Sequence, residues 1–251
     1  MSEESLKNYT KRMISSENKD DHDYLEYHRE RFEYVFQISK KLKPDENTLV
    51  LDVGKSYLSE LLNTHYRKVE TIGFDLDEDE ALISKGVKIK DSPDSDHIVY
   101  DLNNAVYGES IRSSKKYDLI VFAETIEHIH HAPEFALYAL REILSDDGVI
   151  LCQTPNAIAL HKRILMLFGK NPFEKIRFDP FNPGHIREYT KNELIACGDL
   201  AGLSTSFHEY KDYFGYQGSK SRKLFIGFLK LICKIIPSFA RGQTIAYKKP
   251  L

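Results

Sequence analysis

The sequence predicts an α/β fold: a doubly wound, mostly parallel, seven-stranded sheet with an N-terminal helix and an insertion after the fifth strand. Three observations carry this. Short apolar runs alternate with helical patterns through the first 153 residues, the rhythm of a parallel sheet covered on both faces. Those runs end in Asp, Glu or Gly, as strands that open onto a ligand site do. And 251 residues, 41% of them hydrophobic, suffice for one well-filled core.

Residues 1–20 are polar, without an apolar period, and are expected to be mobile; residues 21–251 form one domain. From Asp21 to Lys43, Leu25, His28, Phe32, Val35 and Leu42 share a stripe widened by Phe36 and Ile38, and Pro44 follows the helix. Thr48–Val53 is a short apolar run, the mark of a strand buried on both faces, and Gly54 ends it. SYLSELLNTHY has helical spacing through Leu58, Leu61 and Leu62. Val69–Asp75 is a second strand, EDEALISKG a short helix closed by Gly86, Ile98–Asp101 a third strand and Tyr117–Ala123 a fourth. Pro133–Leu144 is a helix with Phe135, Leu137, Leu140 and Leu144 inward, and Val149–Gln153 is the fifth strand. Right-handed crossovers then leave a doubly wound topology.

After Pro155 the rhythm breaks. Residues 157–187 hold HKRILMLFGK and FDPFNPGHIRE, and their place at a strand's C-terminal end predicts a lid over the site. Thr190 caps the next helix, with Glu193 completing a capping box. LSTSFHEYKDY and GQTIAYKK are the last strands. Between them, residues 219–236 form a helix so widely apolar that burial in the core or in a homodimer is expected ahead of contact with a membrane surface.

Composition excludes several classes. Thirty-five Lys+Arg against 38 Asp+Glu give a net charge of −3, without the basic excess of a nucleic-acid binder. Three scattered cysteines without a CxxC point to a reducing compartment, and no signal-like or membrane-spanning run occurs, so a cytoplasmic protein is expected.

The strand-end segments, taken together, resemble the class I S-adenosylmethionine-dependent methyltransferases, a Rossmann-like fold. VLDVG at 50–54 resembles their first motif, GFDLD at 73–77 the second strand with its ribose-binding acid, and DLN at 101–103 the segment beside the adenine. YDLIVFAETIEHI at 117–129, GVILCQTPN at 148–156 and HIREYTKNELIACGDLAGL at 185–203 resemble the fourth strand, the fifth strand and the helix that follows. TPN, a basic insertion and HIREYT are similar, more narrowly, to methyltransferases encoded with bacterial surface-polysaccharide biosynthesis.

The resemblance implies a methyl donor, S-adenosyl-L-methionine, leaving as S-adenosyl-L-homocysteine. It implies a small-molecule acceptor, an oxygen of a sugar or polysaccharide precursor in capsule or lipopolysaccharide biosynthesis, with an anionic or nucleotide-linked sugar fitting the basic insertion. An amine or phosphate-type acceptor is the alternative within the class; a cofactor-binding or partner-binding protein without turnover is the alternative outside it. Asp75, with Leu76, would accept from the ribose hydroxyls, Asp101 and Leu102 would lie beside the adenine, and Glu124 near the methionyl group. Asp52, Gly54 and Lys55 form the first loop, which reads Gly54-Lys55-Ser56-Tyr57 where the family has GxGxG. Ser56 is expected to replace a glycine as the next helix's N-cap. On the N-terminal helix, Tyr27 and Arg31 would close over the cofactor, Arg31 either forking onto its carboxylate or lying on a solvated charged face. His128, matching the family's "EH", is the first candidate for a base, then His130 and His185, with Asn156 and Arg187 toward the acceptor. Glu127–His131 and His128–His131 have the spacing of one helical face, but with no cysteine nearby no metal is expected.

Overall fold

The computed structural model describes residues 6–11, 19–74, 96–178, 184–213 and 231–250. Seven strands form one sheet: β1 (Leu49–Val53), β2 (Lys68–Gly73), β3 (His97–Val99), β4 (Tyr117–Ala123), β5 (Leu144–Pro155), β6 (Ser204–Lys211) and β7 (Gly242–Lys248). Their order is β3-β2-β1-β4-β5-β7-β6. β1 to β5 pair in parallel, and β7 runs against both β5 and β6. The chain leaves β1 toward β2 and β3, then returns to place β4 on β1's other side, so the topological switch point falls between β1 and β4. That is the crevice where open α/β sheets bind ligands.

Consecutive strand residues point to opposite faces, both of which are covered, which is why β1 and β4 are apolar but for Asp52 and Asp118. Leu51, Ile120 and Phe122 pack on one face with helices α4 (Pro133–Glu142) and α6 (Lys191–Leu200). Val50, Leu119 and Val121 pack on the other with α2 (Lys19–Leu42) and α3 (Tyr57–Asn63). Gly198 of α6 lets that helix approach β7 closely: a Cβ there would stand 2.5 Å from the Tyr247 ring. Tyr247 in turn donates its hydroxyl to Leu194 O at 2.8 Å. The capping box expected at Thr190 and Glu193 is present. The fifth strand is longer than expected, beginning at Leu144, and the helix before it ends at Glu142.

Three expectations change. Residues 6–11, expected to be mobile, are helical (α1); Leu6 is buried in the α2 cluster and Thr10 Oγ1 donates to Glu33 Oε1 at 2.6 Å. Phe135, placed inward, is 45% exposed; the small Ala136 and Ala139 take the inner face of α4 with Leu137 and Leu140. Of the apolar helix 219–236, residues 231–235 are described and helical, and Leu231, Ile235 and Ile236 are exposed rather than buried in this chain's core. The rest of that helix and the segment EDEALISKG lie outside the described residues. Among the described residues no helix is long and apolar enough to cross a membrane.

Candidate functional site at the strand ends

The first loop is built around Asp52 and Gly54. Gly54 has φ +85°, a backbone that disfavours side chains, and a Cβ there would meet nothing within 4 Å. Its N–H donates to Ile72 O at 2.8 Å, tying β1's end to β2. The space before it is therefore open to a ligand that approaches the backbone closely. Ser56 caps α3, and Ser59 completes the capping box by accepting from Ser56 N. Ser59 Oγ then donates to Asp52 Oδ2 at 2.6 Å. Two serines thus do by side-chain bonding what glycines do by leaving room.

Asp52 is 1% exposed. Burial pushes its carboxyl up to about 7, against the Ser59 hydrogen bond and the positive charge of Arg31, which both lower it. Arg31 is 4% exposed, so the solvated-face alternative for it falls away. Its guanidinium carbon lies 4.7 Å from the Phe32 ring centroid, and its Nε is buried without a hydrogen-bond partner. A buried guanidinium with an unanswered N–H beside acids is a ready clamp for a carboxylate. Tyr27 is half-buried and meets the His28 ring edge-on at 4.8 Å; Lys55 is half-exposed.

Across the switch point, Glu124 follows β4 with φ +51°, the one non-glycine residue in that region of backbone space among the described residues. Such strain, of about 1–3 kcal/mol, persists only where the surroundings hold it. Here Glu124 N donates to Gln153 O and Gln153 Nε2 donates to Glu124 Oε1, both at 2.7 Å. Burial raises the Glu124 carboxyl, with Arg31 and Lys162 opposing. Asp101 uses Oδ1 to accept from Asn103 N and Nδ2, each at 2.9 Å, capping the turn that buries Leu102. Asn103 Oδ1 accepts from His130 N at 2.7 Å, joining this segment to the one after β4.

Beyond β4 a second cluster is assembled from two distant pieces. The turn Ile126–His128 follows β4, and the end of the insertion folds back onto it: Ile186 N and Arg187 N donate to Glu127 O at 2.8 and 3.2 Å. This brings Glu127, His128 and His185 together, with one ligand-capable atom from each within 4.8 Å of the others. The His128 and His185 rings stand edge to face at 5.1 Å. His128 Nδ1 lies 3.0 Å from Gly184 O, which only accepts, so Nδ1 carries the proton. His185 Nδ1 lies 3.3 Å from Glu188 Oε1, which fixes the same tautomer. Burial lowers both imidazoles, His185 to about 4, so both are neutral at pH 7 and keep the lone pair on Nε2. Glu188 also pairs with Lys162, which is almost fully buried and lowered to about 8 by that burial.

A match to the methyltransferase-domain family covers residues 27–205, which contain Arg31, both strand ends of the switch point and both histidines. The chain belongs to that family. Its fold is shared with S-adenosylmethionine-dependent methyltransferases of known structure. It aligns with the N-methyltransferase NodS of Bradyrhizobium japonicum in complex with S-adenosylhomocysteine at a TM-score of 0.56 and 12% identity, over 98% of this chain and 99% of that one. Methyltransferases of Clostridium acetobutylicum (TM-score 0.53, 16% identity, 97% and 99% covered) and Archaeoglobus fulgidus (0.53, 14%, 91% and 100%) are similar in the same way. No curated protein sequence matches the chain.

Set against what was expected of a methyltransferase, the structure divides the site residues. Asp75 and Leu76 lie outside the described residues. Asn156, assigned to the acceptor, is a correction: it is fully buried, Nδ2 donates to Ser238 O and Ala240 O at 2.9 and 2.8 Å, and Oδ1 accepts from Ile158 N. Its carboxamide holds the chain together and does not face an acceptor. His131 turns its ring to Tyr107 at 6.2 Å, and the helical-face pairs with Glu127 and His128 do not form; the partner is His185. His130 and Arg187 line a separate groove of about 510 Å³ with Pro133, Tyr189 and Glu193. Arg187 is bound there to Glu193 at 2.6 Å. Of the insertion's cations, Lys162 is buried and paired, whereas Lys170, Lys175 and Arg177 are exposed. Glu188 was missed; Thr154, which follows the fifth strand, was given no role, and its Oγ1 donates to Glu127 Oε2 at 2.9 Å. The only sequence signal for Glu188 is its place three residues after His185.

Proposed function

We propose that the protein takes a methyl group from S-adenosylmethionine and transfers it to a hydroxyl oxygen of a sugar or polysaccharide precursor, leaving S-adenosylhomocysteine. The observation that carries this is the presence of two sets of groups at the C-terminal ends of β1 and β4. One is the open backbone at Gly54 with the buried Arg31, whose charge acts on both Asp52 and Glu124; the other is the pair of neutral imidazoles, His128 and His185, after β4.

The donor supplies an activated methyl, so the chain has to bind, align and manage one proton. Arg31 suits the donor's carboxylate, Gly54 lets its methionyl end approach the backbone, and Glu124 lies on the side of its positive charge. Asp75 with Leu76, and Asp101 with Leu102, are proposed on the ribose and adenine sides, as the resemblance implies. His128 and His185 act on the acceptor oxygen. Their free Nε2 lone pairs favour a hydroxyl acceptor, whose proton must leave, over an amine, which attacks as the free base.

Residues 157–187 are proposed as the cover. Their C-terminal end is pinned to Glu127 and His128, while Leu167, Phe168 and Phe178 stand exposed. Such a segment excludes water at its base and offers apolar surface at its tip. Labelled donor incubated with sugar, nucleotide-sugar, sugar-phosphate and amine acceptors tests the reading. An O-methyl product is expected; transfer only to amines, or none with any acceptor, would contradict it.

A further inference from the structure

We propose that Glu127, His128 and His185 form a binding site for a divalent transition-metal ion, which holds the acceptor oxygen. The ligand-capable atoms of the three residues already lie within 4.8 Å of one another. The second observation is Glu127 itself. It is 0% exposed, its Oε2 accepts from Thr154 Oγ1 at 2.9 Å, and its Oε1 is buried with no hydrogen-bond partner. A buried carboxylate oxygen left unanswered is costly, and an ion is one of the few things that answers it.

The surroundings are those of metal-bound histidines. Such residues donate the ring nitrogen not used for the metal to a carbonyl or a carboxylate, which fixes both tautomer and ring orientation. His128 does this to Gly184 O and His185 to Glu188, leaving both Nε2 lone pairs available; Glu188 is held in turn by Lys162. Two imidazoles and a carboxylate favour a first-row transition ion such as Mn²⁺, Co²⁺ or Zn²⁺ over Mg²⁺ or Ca²⁺, whose ligands are oxygens. The third ligand, His185, arrives from the insertion, so no spacing within one helical face reveals the set.

The role of the ion rests on the methyltransferase reading above. With the ion in place both Nε2 lone pairs are engaged, so the imidazoles act through the ion and not as bases themselves: a hydroxyl bound to a divalent ion loses its proton to water more easily. The oxygen lone pair then forms the O–CH₃ bond as the C–S bond breaks, its electrons going to the sulfur to give a neutral thioether.

The test uses the full chain, stripped with a chelator and titrated with Co²⁺ alone, followed by calorimetry and visible absorption. One tight Co²⁺ per chain is expected, weakened at least about 100-fold in Glu127→Gln and in His185→Ala, with His131→Ala unchanged. S-adenosylhomocysteine affinity is measured on the same samples as proof of folding. Absence of a saturable site, or wild-type Co²⁺ affinity in both ligand variants, would overturn the proposal. So would full methyl transfer by chelator-stripped protein. A protein that binds S-adenosylhomocysteine but no Co²⁺ removes the metal and keeps the donor; one that binds Co²⁺ but no S-adenosylhomocysteine removes the donor reading alone.

Discussion

The two sides of the switch point are built differently. In the first loop the polar groups are answered locally: Asp52 by Ser59, Ser59 by Ser56 and Ser56 by Leu58, all within eight residues of the chain, while Arg31 from the N-terminal helix keeps an unanswered Nε. On the acceptor side Glu127 and His128 wait for partners from the far end of an insertion, and one oxygen of Glu127 finds none. A locally closed network is rigid before any ligand arrives. A site closed by a distant segment depends on that segment, and its unanswered group marks where something further binds. Donor binding should therefore survive changes that destroy transfer.

The harshest way to break this contrast is to replace residues 157–187 with a short Gly-Ser linker. Methyl transfer should fall by more than about 10²-fold, since it loses both His185 and the cover, while S-adenosylhomocysteine affinity stays within a few-fold. Equal loss of both, measured by steady-state kinetics and calorimetry, would show that the two sides are one unit. The converse change is Arg31→Met. It should weaken S-adenosylhomocysteine about 10- to 100-fold, the worth of a charged hydrogen bond, with kcat at saturating donor nearly unchanged. A fall in kcat without a fall in affinity would move Arg31 to the acceptor side.

The same contrast explains what was legible in the sequence. β1 and β4 could be read because burial on both faces leaves apolar runs, Val50–Leu51 and Leu119–Ala123, and the Thr190 cap because its chemistry is local. Phe135 was misplaced because size was taken for inwardness, whereas α4 packs close through Ala136 and Ala139. The anchoring of residues 6–11 rests largely on Leu6 and on Thr10 with Glu33, too little to leave a period. Asn156 looked like a site residue because it follows a strand end, but its hydrogen bonds reach residues 238 and 240, which no local pattern reveals. The Glu127–His185 meeting was illegible for the same reason.

Two smaller effects sharpen the comparison. Asn156→Ala should cost about 1–3 kcal/mol of stability by stranding the carbonyls of Ser238 and Ala240, with the acceptor KM unchanged; urea unfolding and kinetics check it. A raised KM without loss of stability would restore Asn156 to the acceptor site. Asp52 gives a pH signature. Its folded carboxyl titrates near 7 and its unfolded one near 3.8, so its contribution to stability is full below about pH 4 and is lost as pH rises toward 7. Asp52→Asn should flatten the fall in stability between pH 5 and 7, by under about 1.4 kcal/mol per pH unit. Parallel unfolding curves for the two proteins across that range would mean that Asp52 is not the buried acid described.

The space in front of Gly54, between β1 and β4, is proposed to hold the methyl donor. Calorimetric titration of S-adenosylhomocysteine into the wild-type protein tests it most directly. One saturable site per chain is expected, competed by S-adenosylmethionine and weakened by Arg31→Met. No saturable binding, or binding indifferent to Arg31, would contradict it.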